Sequence, residues 1–147
     1  MKSHLVPAED FFRLLYEDAE FCANVGKVVL AAGMLETNLR RYLQERAVSG
    51  IRLNTTLGGM VKRLKECGLL SKNGVLHFED LALKRNYLAH SIHDLFSRTI
   101  AATILPRENL TEIDVRYFVE KAEQLAKDFV TFSTLVAKAN VKSRLLL

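Results

Sequence analysis

The part of the sequence best equipped for chemistry lies between residues 84 and 94. Its side chains that can bind a phosphate or move a proton are Lys84, Arg85, Asn86, His90, Ser91, His93 and Asp94. Histidine can transfer protons near neutral pH, because its unperturbed pKa is about 6.5. Arginine carries a permanent planar charge whose two-pronged donor set matches a phosphate group. The stretch therefore predicts chemistry on a phosphate ester, with Arg85 and His90 as the candidate catalytic residues.

Helical spacing predicts how these side chains are presented. The apolar residues that follow a helical repeat through a predicted helix over Phe78–Phe96 are Leu81, Leu88, Ile92 and Leu95. Asn86 and His90 are four positions apart and share one face, with His93 adjacent. Arg85 precedes His90 by five positions, so on an ideal helix their directions differ by roughly 140°. A second copy related by a two-fold axis would bring both residue types to one cleft, which favours a homodimer.

The remaining sequence is predicted to form helices that position this one. Apolar residues recur at three- and four-residue spacing, and no stretch alternates as a half-buried strand does. The other predicted helices cover Ala8–Cys22, Asn24–Val48, Leu57–Cys67 and Thr111–Ala139. Residues 98–109, which include Pro106, are predicted to be an irregular connection. We expect one all-α domain over residues 1–147, an up-and-down bundle of about five helices.

Local signals support these helix ends. Thr55 or Thr56 is predicted to cap the third helix, Gly68 to end it in a left-handed conformation, and Ser49-Gly50 to stop the second helix. The adjacent glycines Gly58 and Gly59 indicate either a fraying helix start or a close helix crossing, because glycine costs about 1 kcal/mol in a helix relative to alanine. The residues alone leave both interpretations open.

Composition narrows the functional class. The 147 residues are 49% hydrophobic, enough for a core without disulfides or metals, and the two cysteines, Cys22 and Cys67, stand apart from any ligand spacing. No signal peptide or membrane-spanning stretch is evident, so we expect a soluble cytoplasmic protein with no membrane partner. The net charge of +4 suits a polyanionic partner but is also common in proteins that bind no nucleic acid.

The segment Arg85-Asn86-Tyr87-Leu88-Ala89-His90, on a long helix of a small bundle, resembles the HEPN superfamily, whose hallmark is an arginine, four to six residues and a histidine. The resemblance also covers the long second helix with Glu36. It implies a HEPN-like homodimer that in many members cleaves RNA without a metal, as a toxin with a cognate antitoxin or in another defence system. Ile92 stands where some of these toxins carry a tyrosine that a partner enzyme modifies.

The chemistry of phosphate cleavage suggests supporting roles for neighbouring residues. Asn86 would orient the phosphate or the His90 ring, and Glu36 would hold Arg85 if their helices pack side by side. The candidates for contact with RNA are Lys84, Tyr87 and His93. A tyrosine beside helix-core leucines is more typical of packing or a dimer interface, and the favoured interpretation of His93 is a solvent-facing position. We expect no cofactor and no metal, although a centre of His77, His90 and His93 is conceivable, and His77 is interpreted as a neighbour of the helix cap. The alternatives are a non-catalytic HEPN-like module that binds RNA or protein, and a helical interaction protein with an accidental motif.

Overall fold

The computed structural model describes residues 8–90 and 112–139, with the side chains of residues 10–87 and 114–139. The helices in this part are α1 (Ala8–Glu17), α2 (Ala19–Glu45), α3 (Leu57–Glu66), α4 (Lys72–His90) and α5 (Glu112–Lys138). The prediction of an all-α bundle of about five helices is confirmed, and no residue of the described part lies in a strand. The predicted connection over residues 98–109 and the end of the fourth helix beyond His90 lie outside the described residues.

The first two helices meet at Asp18, and the predicted boundary between Cys22 and Asn24 is wrong. The Asp18 carboxylate accepts a hydrogen bond from the backbone N–H of Phe21 at 2.7 Å, as an N-cap residue does. This contact satisfies one of the donors that the start of α2 leaves without an intrahelical partner. Asn24, predicted to begin the second helix, is instead a buried residue in its second turn.

The second helix ends three residues earlier than Val48, the predicted end. Ala47 has a φ of 55°. Its N–H donates to the Gln44 carbonyl at 3.0 Å, and the N–H of Val48 donates to the Leu43 carbonyl at 3.0 Å. This pair of bonds is the Schellman ending, in which glycine usually occupies the left-handed position that alanine fills here.

The third helix has the predicted caps. The hydroxyl of Thr56 accepts a hydrogen bond from the N–H of Gly59 at 3.1 Å, and Gly68 has a φ of 65° at the other end. A methyl group built on Gly58 would have no atom within 4 Å, and one built on Gly59 would approach only Thr55 and Thr56 in the same turn, each at 3.3 Å. The described atoms therefore give no sign of the close helix crossing that was one interpretation of the glycine pair.

The fourth helix begins at Lys72, six residues before its predicted start. The Ser71 hydroxyl accepts a hydrogen bond from the N–H of Gly74 at 3.1 Å, so Ser71 is an N-cap and not part of a turn between helices. The earlier start adds almost two turns to α4. His77 consequently lies inside the helix, where its ring centroid is 5.8 Å from that of Phe132, and the interpretation of His77 as a cap neighbour is wrong.

The described residues fall into two compact units. The first contains residues 8–29, 87–90 and 112–127. In it the rings of Phe11 and Phe118 meet edge to face with centroids 5.1 Å apart. Buried Asn24 donates to the Val119 carbonyl at 3.1 Å. A second contact joins Glu20 and Arg116, which lie one turn before Asn24 on α2 and one turn before Val119 on α5. The two helices therefore run parallel in this unit.

The second unit contains residues 30–86 and 128–139 and holds most of the candidate site. Its fully buried large side chains come from α2, α3, α4 and α5 and include Leu35, Leu39, Leu43, Met60, Leu64, Phe78 and Phe129. Asn38 on α2 donates to the Ser133 hydroxyl on α5 at 2.8 Å. The Phe78 and Phe132 rings pack edge to face with centroids 5.2 Å apart. This core holds the second-unit portion of α4 against the other helices of the unit.

Candidate functional site

Arg85 is held by an acidic residue of a neighbouring helix. Its Nε donates to Oε1 of Glu36 on α2 at 2.9 Å, within the second unit. The side chain of Arg85 is half-buried, and that of Glu36 is mostly buried. The contact between Glu36 and Arg85 that was expected for side-by-side packing of their helices is therefore present. A catalytic role for either residue stays a prediction.

The geometry of this contact has a chemical consequence. A guanidinium has two donor edges, and the contact with Glu36 is made through Nε. The pair Nη1 and Nη2 forms the end of the fork, which is the edge suited to two-pronged binding of a phosphate. An arginine fixed through Nε loses rotamer freedom before a ligand arrives, so less entropy remains to be lost on binding.

Asn86 lies on a different side of α4 from the Arg85 contact. It is exposed and lines a groove between α3 and α4. We call this the α3–α4 groove, and its lining residues are Gly58, Val61, Lys62, Lys65, Glu79, Ala82, Leu83 and Asn86. Each helix contributes residues at helical spacing, so a single stripe of each faces the groove. Sequence reasoning found Asn86 but missed the stripe on α3, whose signal was the repeated spacing of 58, 61, 62 and 65.

The other residues predicted to contact RNA have differing environments. Lys84 is half-buried, and its ammonium lies 2.8 Å from the carboxylate of Asp80 one turn earlier on α4. That partner competes with any phosphate for the same charge. Tyr87 is half-buried as well. Their contact with RNA stays a prediction.

His90 is the last residue of α4 that the structure describes, and its side chain lies outside the described residues, as do Ser91, His93 and Asp94. The unbroken helix from Arg85 to His90 places Asn86 and His90 in the register of one face, as predicted. Convergence of Arg85 and His90 in one cleft stays a prediction.

In the part of the chain that the structure describes, no group of three or more histidine, cysteine or acidic side chains is arranged to hold a metal ion. Among the same residues, no helix combines the length and apolar character that crossing a membrane requires.

Comparison with known protein families, with curated proteins and with solved structures finds no match to this chain.

Proposed function

We propose that this chain is a HEPN-like, metal-independent endoribonuclease that acts as a homodimer, with Arg85 and His90 of two copies forming one cleft. The observation that carries the proposal is the contact between Glu36 and Arg85 at 2.9 Å, which fixes the motif arginine at a half-exposed position. The proposal includes a toxin or defence role in the cytoplasm and neutralisation by a cognate antitoxin.

The proposed reaction uses the 2′-hydroxyl of RNA as its nucleophile. His90 accepts the proton of this hydroxyl as its oxygen bonds to the adjacent phosphorus, and the bond from phosphorus to the 5′-oxygen breaks. A histidine of the paired copy donates a proton to the leaving 5′-oxygen. The guanidinium of Arg85 stabilises the charge that builds on the phosphate oxygens. The products are a 2′,3′-cyclic phosphate and a 5′-hydroxyl.

The homodimer has a candidate contact surface in the same unit as Arg85. Leu30 and Met34 lie one turn apart on α2 and are 72% and 51% exposed. Apolar side chains that share an exposed face often mark an interaction surface. We expect Leu30→Glu to shift the protein from dimer to monomer in size-exclusion chromatography with light scattering and to reduce cleavage with it. A monomeric wild type would contradict the proposed composite cleft.

Expression with a matched pair of charge variants tests the nuclease. We expect wild type to arrest growth of a host and to cleave RNA in EDTA, leaving cyclic phosphate ends. Both effects should be lost in His90→Ala and Arg85→Ala but retained in Lys72→Ala, which removes an exposed charge from the same helix away from the candidate site. Equal losses in Arg85→Ala and Lys72→Ala would indicate nonspecific attraction of RNA, and absence of cleavage by folded wild type would refute the proposal.

A second candidate function is a non-catalytic HEPN-like module that binds RNA or protein through the same residues. The ion pair between Arg85 and Glu36 is compatible with this second function, because an arginine held in place can recognise a ligand as well as catalyse a reaction. Binding of RNA that depends on Arg85, without cleavage by wild type, would select this function.

A further inference from the structure

The α3–α4 groove has a defined direction. Lys65 of α3 and Glu79 of α4 make an ion pair at 3.5 Å. The lining stripes extend from these residues to Gly58 on α3 and Asn86 on α4. Lower numbers on one helix thus face higher numbers on the other, so the two helices are antiparallel here. The ion pair closes one end of the groove, and Gly58 and Asn86 stand at the other.

The charge of the groove is positive at its centre. Among the lining residues, the Lys65 charge is matched by Glu79, while Lys62 has no ion-pair partner among the described residues. Between the two ends, Leu83, which is 42% exposed, supplies the accessible apolar surface, and the buried side chains of Val61 and Ala82 lie at the base of the groove. Its volume is about 300 Å³, near the lower bound for small-ligand sites.

Gly58 keeps the end beside Asn86 open. A methyl group built on Gly58 would meet no atom within 4 Å, so the described packing does not require glycine there. The open end is one residue along α4 from Arg85, whose side chain reaches α2.

We propose that the α3–α4 groove binds one nucleotide of the RNA strand that flanks the scissile phosphate. Lys62 contacts its phosphate, the apolar lining contacts the face of its base, and Asn86 forms hydrogen bonds with the base edge. Single-stranded RNA offers these groups because its bases are unstacked and their edges free. The choice of RNA as the ligand rests on the proposed function. The charge and shape of the groove follow from its lining residues and are independent of that function.

Binding to an uncleavable complex tests the subsite. The His90→Ala protein is mixed with a fluorescent single-stranded RNA octamer, and the Kd is measured by anisotropy at several salt concentrations. We expect the additional change Lys62→Ala to weaken binding about tenfold and to reduce the slope of log K against log salt by about 0.7, the value for one lost phosphate contact on a single strand. The matched control Lys72→Ala removes an exposed charge from α4 outside the groove.

A second variant tests whether a base enters. Gly58→Leu fills the open end and should weaken binding of the RNA octamer at least fivefold. It should leave binding unchanged for a strand of abasic spacers that carries the same number of phosphates. If circular dichroism shows that Gly58→Leu is unfolded, Gly58→Ala replaces it, and a smaller loss in the same direction is expected.

The outcomes separate the subsite from the proposed nuclease. Equal effects of Lys62→Ala and Lys72→Ala, or a folded Gly58 variant with unchanged RNA binding, would overturn the subsite even if His90→Ala abolishes cleavage. Conversely, binding that depends on Lys62 in a protein that never cleaves RNA would support the subsite and refute the nuclease. Binding of an acidic peptide in the groove, with no binding of RNA, would overturn the subsite in favour of a protein partner.

Discussion

The two units each contain an arginine of one helix in contact with a glutamate of another, yet the two contacts differ in kind. In the second unit, Arg85 and Glu36 are 2.9 Å apart, with side chains 37% and 20% exposed. In the first unit, Arg116 and Glu20 are closer, at 2.6 Å, but 62% and 53% exposed. The shorter contact is thus the more solvated one. Burial, and not distance, distinguishes the arginine that is held in place from the one that lies at the surface.

The surroundings of the two arginines reinforce this distinction. Arg116 has a second carboxylate nearby, that of Glu120 at 3.8 Å. The hydrogen bond with Glu20 raises the pKa of Arg116 above its already high ordinary value, which leaves its charge unchanged at any ordinary pH. Surface pairs of this type contribute little to stability, because water and salt screen them. The contact of Arg85 lies against the core of its unit, so its geometry carries more information about function.

The largest expected difference between the two arginines concerns activity. Arg85→Lys keeps the charge but removes the planar fork, so we expect single-turnover cleavage of RNA to fall about 100-fold. Arg116→Lys should cleave at the wild-type rate. The cleavage rates are measured on RNA in a buffer that contains excess EDTA, which removes metal ions. Circular dichroism shows that each variant is folded. If the Arg85→Lys variant is as active as wild type, only charge is needed at this position and the argument from the fork is lost.

The next difference concerns stability. Glu36→Ala leaves the half-buried guanidinium of Arg85 without this acceptor, and we expect the free energy of unfolding to fall by about 1.5 kcal/mol, the lower end of the range for a hydrogen bond to a charged group. Glu20→Ala should give no measurable change, because its partner is exposed. Urea unfolding followed by circular dichroism measures both. Equal losses in the two variants would mean that the difference in burial has no energetic effect.

A smaller expected difference between the two ion pairs is the dependence of their coupling energies on salt. Double-mutant cycles on each pair give a coupling energy, measured at low salt and in 1 M NaCl, where the Debye length is about 3 Å. We expect the coupling between Glu20 and Arg116 to disappear in 1 M NaCl and most of that between Glu36 and Arg85 to persist. If both couplings fall in proportion, Arg85 is as accessible to ions as Arg116.

Much of the fold was predictable from the sequence, because burial follows helical spacing. Apolar residues at three- and four-residue spacing form the buried stripe from Val28 to Leu43 on α2 and that from Leu57 to Leu64 on α3. The misplaced ends have specific causes. The apolar repeat runs on past Asp18, so a single aspartate that caps α2 was overlooked. Ala47 takes a left-handed conformation that sequence propensity assigns to glycine. Ser71 caps α4, although the sequence Ser71-Lys72-Asn73-Gly74 is typical of a turn.

The candidate site was less predictable than the fold. The contact between Glu36 and Arg85 spans 49 positions and was expected only on the condition that the two helices pack side by side, since spacing along one helix says nothing about its neighbour. The α3–α4 groove was missed for the same reason. From the sequence, Gly58 indicated a fraying helix start or a close helix crossing. Only the antiparallel pairing of the lining stripes of α3 and α4 shows that it borders a groove. Whether His90 joins Arg85 stays a prediction.

A third arginine contact extends the comparison to an aromatic partner and gives the smallest expected effect. The guanidinium of Arg46 lies 4.3 Å from the ring centroid of Tyr42, whose hydroxyl is buried and has no hydrogen-bond partner among the described residues. Burial raises the pKa of Tyr42 above 10.0, and the charge of Arg46 only partly opposes this shift. At neutral pH, Tyr42→Phe should therefore change the free energy of unfolding by less than about 0.5 kcal/mol, because the ring contact is kept and no satisfied hydrogen bond is lost.

Alkaline pH separates Tyr42 from an ordinary tyrosine. The unfolded chain releases this proton near pH 10, while the folded chain retains it, so the contribution to stability is complete below pH 10 and is lost as the pH rises through the raised pKa of the folded state. We expect Tyr42→Phe to lose less stability between pH 9 and pH 11 than wild type does in urea titrations. Tyr16→Phe, at a side chain 83% exposed, serves as the control and should follow wild type. If both variants decline with wild type, Arg46 rather than burial governs the Tyr42 hydroxyl, and the packing of the guanidinium matters more than solvent exclusion at this end of α2.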